Sequence, residues 1–123
     1  MFRAILLASW LGGLLSYRIP TIAVIGAHTA RGKQMVNYAL ENYMMVYAIA
    51  PTDELLNQTK AIPLNATQFL KHQITYDRIF ILTECLRSSA CAYIESFFST
   101  SSVVRIDTDD VEDEINRIFG DLM

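Results

Sequence analysis

Five short apolar runs recur along the sequence, and most are followed by a stretch in which apolar residues have helical spacing. The runs are continuous and rich in β-branched residues, which is typical of strands buried on both faces of a parallel sheet. They occupy residues 21–25, 43–50, 61–64, 78–82 and 103–106. Because strand and helix alternate, the pattern predicts right-handed βαβ units. The fold class is α/β: a minimal Rossmann-like open parallel sheet of about five strands with helices on both faces.

The segments between the strands carry signals for helices. Helices are expected from Thr29 onward, from Asn65 as an N-cap through Thr75, and over 85–98. The last helix is the clearest, because its apolar residues form one stripe and acidic residues fill its first turns, where the helix dipole favours negative charge. The stripe consists of Val111, Ile115, Ile118, Phe119 and Leu122.

The first 19 residues stand outside this alternation, so we divide the chain into an apolar N-terminal helix or arm, 1–19, and a Rossmann-like domain, 20–123. Residues 4–17 contain no charge, and a span of this length is short of the roughly 20 residues that a transmembrane helix needs. It suits a helix buried on its own domain, a helix docked on a partner or a membrane surface, or a signal-peptide core, although no convincing cleavage site precedes Tyr17. We expect residues 2–17 to bind a protein partner or to form the contact of a homo-oligomer.

Composition narrows the class of protein. The chain has 123 residues, of which 52% are apolar and 19% charged, so it suits one globular domain and excludes intrinsic disorder. Its net charge of −3 argues against nucleic acid, which proteins bind largely by neutralising phosphates. Two cysteines and two histidines lack metal-ligand spacing, and we expect no metal. An intracellular location, cytoplasmic or organellar, is favoured, and membrane association is compatible with it.

Ligands of open parallel sheets bind beyond the carboxyl ends of the strands, which directs attention to Gly26–Lys33, Ala50–Asp53 and Thr83–Arg87. In the first of these, Gly26 permits a tight turn and Gly32 permits close packing. Backbone N–H groups at the following helix start can hold a phosphate, with help from a basic side chain of the loop. The loop is not a P-loop, because its two glycines bracket five residues and not four.

Residues 22–84 resemble the opening of an NmrA-like, atypical short-chain dehydrogenase. The matching pieces are IGAHTARG, VNYAL, MVYAIAPTDELL, IPLNATQFL and YDRIFILTE. The resemblance implies a Rossmann domain with NAD(P) as cofactor, bound by Gly26, Ala27, His28, Thr29, Ala30, Arg31, Gly32 and Lys33. Thr29 replaces the family's middle glycine, and Tyr93 is followed by Phe97 where the catalytic Tyr-x-x-x-Lys pair would need a lysine.

Residues 77–95 also resemble the strand and following helix of TIR domains, in which a glutamate on that helix contacts the nicotinamide ribose. Glu95 is the corresponding candidate, although it lies four residues after Cys91 and not three. Glu84 ends the fourth strand at the ligand edge, where it could bind a ribose hydroxyl or, as we favour, cap the next helix. Cys85 is expected to be a small semi-buried residue, with a nucleophile served by His28 as the alternative.

These observations lead to two hypotheses. The first is a non-catalytic, or cofactor-binding only, accessory or interaction subunit that docks through its apolar N-terminal segment, with a membrane-associated complex as one setting. The alternative is an NAD(P)-using enzyme or sensor, dehydrogenase-like or TIR-like, in which Gly26–Lys33 binds the nucleotide and Glu84 or Glu95 assists.

Overall fold

A computed structural model describes residues 19–56, 59–71, 75–96, 103–107 and 110–122. The predicted N-terminal helix over residues 1–19 therefore lies almost wholly outside the described residues. No helix in the described part of the chain is long and apolar enough to cross a membrane.

In these ranges, five parallel strands form a single sheet in the order β3-β2-β1-β4-β5. The strands are β1 (Thr21–Ile25), β2 (Met45–Ala50), β3 (Ile62–Asn65), β4 (Arg78–Leu82) and β5 (Val103–Ile106). This confirms the predicted α/β fold with a Rossmann-like parallel sheet. The chain moves outward from β1 to β3 and then returns to place β4 on the other side of β1. The switch point, where such sheets bind their ligands, thus lies between the carboxyl ends of β1 and β4.

Among the described residues, three α-helices and two 3₁₀ helices lie between the strands, and a fourth α-helix follows β5. The α-helices are α1 (Ala30–Glu41), α2 (Ala66–Lys71), α3 (Ser89–Ser96) and α4 (Val111–Leu122), and the 3₁₀ helices are Asp53–Leu56 and Thr83–Arg87. The prediction of one helix over 85–98 is wrong at its start, because Ser88 has an extended backbone that separates the second 3₁₀ helix from α3. The second strand begins at Met45 and not at residue 43, since Tyr43 has a positive φ of 62°.

Side chains alternate between the two faces of the sheet and build two cores. On one face, Val24 and Val46 pack with residues of α1 and α4. On the other, Ile25 and Ile49 pack with residues of α2 and α3, such as Phe69. Helices therefore cover both faces, as predicted.

One local feature confirms a predicted helix start, and a second ties two strand ends together. Asn65 caps α2, because its Oδ1 accepts a hydrogen bond from the Gln68 backbone at 2.8 Å while Gln68 Oε1 accepts one from the Asn65 backbone at 3.0 Å. At the opposite end of the sheet, the Thr21 and Asp77 backbones are joined, since Asp77 N donates to Thr21 O and Thr21 N donates to the Asp77 carboxylate, both at 2.7 Å. These bonds hold the amino ends of β1 and β4 together.

Candidate functional site

The turn after β1 brings the end of that strand against the end of β4. Gly26 has a φ of 97°, which favours glycine, and a Cβ added to it would lie 2.9 Å from the Cβ of Cys85 and 3.0 Å from that of Leu82. Both Gly26 N and Ala27 N donate to Ile49 O, at 2.9 and 3.2 Å, which ties the turn to β2 as well. Gly26 is therefore required by its backbone conformation and by the close approach of β4.

Gly32 lies in the first helical turn of α1 and packs directly against the chain turn that follows β1. A Cβ added to Gly32 would overlap the carbonyl oxygen of Gly26, and it would lie 2.8 Å from Oγ1 of Thr29. The first and last glycines of the loop thus serve the turn and the helix–strand packing that the sequence predicts for them.

Thr29 stands where the resemblance would place the middle glycine, and its side chain is part of the turn. Thr29 is the N-cap of α1: its Oγ1 accepts a hydrogen bond from Gly32 N at 3.0 Å and donates one to Gly26 O at 2.7 Å. One of the N–H groups at the helix start is therefore already bound by a side chain of the loop.

Arg31 crosses the switch point from α1 to the end of β4. Its Nε donates to Glu84 Oε2 at 3.1 Å, and its Nη2 contacts Glu84 Oε1 and donates to Thr83 Oγ1 at 3.2 Å. The Thr83 hydroxyl donates in turn to Ile106 O of β5 at 3.3 Å. The hydrogen bond from Arg31 holds the pKa of Glu84 below its usual value. The result is a network that joins α1, β4 and β5 across the predicted ligand crevice.

His28 is the one residue of the loop whose side chain shows an unsatisfied buried atom. Its Nδ1 is buried and has no hydrogen-bond partner in the structure. Burial of the ring lowers the pKa of His28, and the nearby Lys33 lowers it further. The imidazole is therefore neutral at pH 7, whereas Lys33 is exposed at the surface beside it.

Cys85 and Cys91 form a disulfide, with their Cα atoms 5.8 Å apart. Both residues are buried, so the disulfide links the 3₁₀ helix after β4 to α3 inside the core. The alternative of a Cys85 nucleophile with His28 as its base is wrong, because a disulfide sulfur is not a thiolate.

The two candidate glutamates lie in different places. Glu84 lies within the first turn of its 3₁₀ helix, where its carboxylate pairs with Arg31. Glu95 of α3 accepts from Arg105 of the edge strand β5, with Nε–Oε2 at 2.7 Å and Nη2–Oε1 at 2.6 Å. Since β5 is two strands away from β1, about 10 Å at the usual strand spacing, the structure brings Glu84 to the loop and places Glu95 at the sheet edge.

The end of β2 completes the crevice. β2 ends at Ala50 and continues into Pro51, whose side chain has neither donor nor acceptor. Dinucleotide-binding Rossmann folds commonly use an acidic side chain near this position to bind a ribose hydroxyl. Within the described ranges, no group of three His, Cys, Asp or Glu residues is placed to hold a metal ion.

Sequence reasoning included Thr83 only as part of the segment Thr83–Arg87 and did not predict its hydrogen bond to Arg31 or the pairing of Arg31 with Glu84. The available signal for the pairing was position, since Arg31 and Glu84 follow the carboxyl ends of neighbouring strands and carry opposite charges. Comparison of the chain with protein-family models, with curated proteins and with solved structures found no match.

Proposed function

We propose that this chain is a non-catalytic accessory or interaction subunit that docks through its apolar N-terminal segment, residues 2–17. The observation that carries the proposal is the contact between Arg31 and Glu84 across the switch point. The guanidinium that would bind an anionic ligand there is bound by a carboxylate of the same chain.

Two groups of the loop support this interpretation. Arg31 would be a donor to a phosphate, and its guanidinium is bound by a carboxylate with the two-oxygen geometry that a phosphate would use. Gly32 N would be a second donor, and it is bound by Thr29 Oγ1. A dinucleotide would have to displace the first contact and reach past the side chain of Thr29. These are costs that the unmodified glycine fingerprint does not have.

The segment before the domain supports the docking part of the proposal. Residues 4–17 contain no charge, and an apolar stretch of this kind is costly to leave in water. It joins the described domain at Ile19, whose side chain is exposed. The folded domain therefore holds the segment, and the segment makes the contact with the partner.

A second candidate function, an NAD(P)-using enzyme or sensor, is favoured by Gly26 and Gly32. The positive φ of Gly26 and the close packing of Gly32 against the turn are the features that the dinucleotide fingerprint requires of its first and last glycines. In that case Glu84 would have to leave Arg31 when the nucleotide binds.

Thermal unfolding with millimolar NAD, NADP or ADP-ribose separates the two functions. A ligand at 100 times its Kd stabilises a folded protein by about 2.7 kcal/mol, so a working site would raise the Tm clearly. If the domain binds no nucleotide, the Tm of the wild-type chain should not change. A shift that disappears in Arg31→Met would establish the nucleotide function instead.

If the segment docks, a partner should bind the full chain and should not bind a chain that lacks the segment. The full chain and a deletion of residues 2–17 are expressed in parallel, purified under native conditions and analysed by light scattering and mass spectrometry. We expect a stoichiometric partner with the full chain that is lost on deletion. Equal composition of the two preparations would contradict the docking role.

A further inference from the structure

The two faces of the sheet are covered to different extents. On one face, α1 and α4 have 12 residues each, about 18 Å, which equals the length of a strand of five or six residues. On the other face, α2 and α3 have 6 and 8 residues, about 9 and 12 Å. α2 begins directly after the carboxyl end of β3. As far as the structure describes the chain, α2 is therefore too short to reach the amino ends of the strands.

Apolar side chains are exposed at those amino ends. Met45 is 47% exposed and Ile62 is 42% exposed. Both lie on the face of α2 and α3, because Met45 alternates in phase with Ile49 and Ile62 with Leu64, both of which belong to that core. We define the amino-end patch as Ile19, Met45, Tyr47, Ile62 and Tyr76.

Strand pairing makes these residues neighbours. Tyr47 stands opposite Ile62 in the register of β2 and β3. The Tyr47 and Tyr76 rings meet edge to face with their centroids 5.5 Å apart. Met45 N donates to Pro20 O at 2.9 Å, which brings Met45 beside the residue that follows Ile19. The patch thus consists of exposed and partly buried neighbours, none of which is charged.

We propose that, in the isolated chain, residues 4–17 cover the amino-end patch. The chain leaves the described domain at Ile19, at the rim of the patch, and Arg18 is the one residue between Ile19 and the uncharged stretch. As a helix, the stretch would be about 21 Å long, more than the roughly 10 Å across β1, β2 and β3. Because the two surfaces share a chain, their effective concentration is about millimolar, which favours contact within one molecule over contact with a second copy.

The packing itself does not depend on the proposed docking function, but its regulatory consequence rests on that function. A partner and the amino-end patch would compete for the same segment. The apparent affinity for the partner would then be reduced by the fraction of molecules in which the segment is free. Docking would also uncover Met45 and Ile62.

Trp10 is the only tryptophan in the sequence and lies within the segment. The test compares its emission maximum and acrylamide quenching in the full wild-type chain, in Met45→Lys/Ile62→Lys, and in the control Leu55→Lys. Leu55 is 45% exposed, like the patch residues, but follows the carboxyl end of β2. We expect buried Trp10 in the wild type and control, and a shift to longer wavelength with stronger quenching in the double variant.

Circular dichroism checks that the double variant is folded, and Met45→Ser/Ile62→Thr replaces it if the lysines prevent folding. Emission typical of water-exposed indole in the wild type, or equal emission in wild type and double variant, would overturn the proposal. So would burial of Trp10 that appears only with concentration and with a dimeric mass in light scattering, which would identify a second copy as the occupant.

The same variants distinguish this proposal from the docking function. If both are correct, the double variant captures the partner at a lower concentration than the wild type does. If only the packing is correct, Trp10 responds to the double variant although deletion of residues 2–17 changes no partner.

Discussion

Arg31 at the start of α1 and Glu84 after β4 are 53 positions apart in sequence, and Arg31 Nε lies 3.1 Å from Glu84 Oε2. This contact is central to the candidate site, because it closes the place at which Rossmann-like sheets bind ligands. Its contribution to stability and its pH dependence can both be measured.

We expect Glu84→Gln to lower the free energy of unfolding by about 0.5–1 kcal/mol, the range for a partly exposed ion pair. The side chains of Arg31 and Glu84 are 17% and 38% exposed, which supports a value within that range and not above it. Urea denaturation measures the change, and a double-mutant cycle with Arg31→Met isolates the pairwise contribution. Glu114→Gln, which removes a partner of the more exposed Arg117, is the control and should cost less. A coupling energy of zero would contradict the pairing.

The contribution of Glu84 should depend on pH in one direction. Its pKa in the folded state is below the ordinary value because Arg31 donates to the carboxylate. A depressed pKa stabilises the fold above the unfolded-state pKa, about 4.3 for glutamate, and this stabilisation is lost as the pH falls through the folded-state pKa. The difference in unfolding free energy between wild type and Glu84→Gln should therefore be constant from about pH 6 to 8 and shrink below about pH 4. If the difference grew as the pH was lowered, it would not come from the contact between Arg31 and the Glu84 carboxylate.

Replacement of Thr29 tests the assignment of its hydroxyl as a helix cap. We expect Thr29→Ala to lower the free energy of unfolding by about 1 kcal/mol, while Thr29→Ser retains the oxygen that accepts from Gly32 N and stays close to the wild type. Thr29→Gly, which restores the middle glycine of the fingerprint, should cost only a few tenths of a kcal/mol. Chemical denaturation of the three variants gives the order. Equal stability of the alanine and serine variants would show that the side chain does not cap α1.

Reduction of the disulfide should destabilise the domain without unfolding it. Cys85 and Cys91 are six positions apart, and closing so short a loop stabilises a fold by about 2 kcal/mol. Urea denaturation with and without a phosphine reductant should show a loss of this size. Cys85→Ala/Cys91→Ala is the control and should not respond to the reductant. Two free thiols in the unreduced protein, detected by alkylation under denaturing conditions, would contradict the disulfide.

The positions of the strands could be predicted because a strand buried on both faces has a continuous run of apolar, β-branched residues. The predicted runs 21–25, 78–82 and 103–106 coincide with β1, β4 and β5. Prediction failed where a single backbone conformation decided the boundary. The positive φ of Tyr43 delays β2, and the extended Ser88 divides the helix predicted over 85–98. Neither conformation follows from the spacing of apolar residues.

The candidate site was predictable to the level of its segments. Gly26–Lys33 and Thr83–Arg87 were expected at the same edge of the sheet, and the contact between Arg31 and Glu84 confirms that they meet. The pairing itself could not be predicted, because each charge could equally have served a ligand. The disulfide could not be predicted either. Cys85 is a single cysteine at a strand end in the local sequence, and the turn to α3 brings it to Cys91.

By itself, the sequence determined the α/β class, the alternation of strands and helices, the sheet edge at which the segments of the candidate site meet, and the uncharged stretch before the domain. These properties depend on residues close together in the chain, so periodicity and turn chemistry express them directly. Only the tertiary structure decided that Arg31 is bound to Glu84, that Cys85 is bound to Cys91, and that short helices leave Met45 and Ile62 exposed. Those outcomes depend on strand order and on helix length relative to the strands, which bring together residues that no local pattern connects.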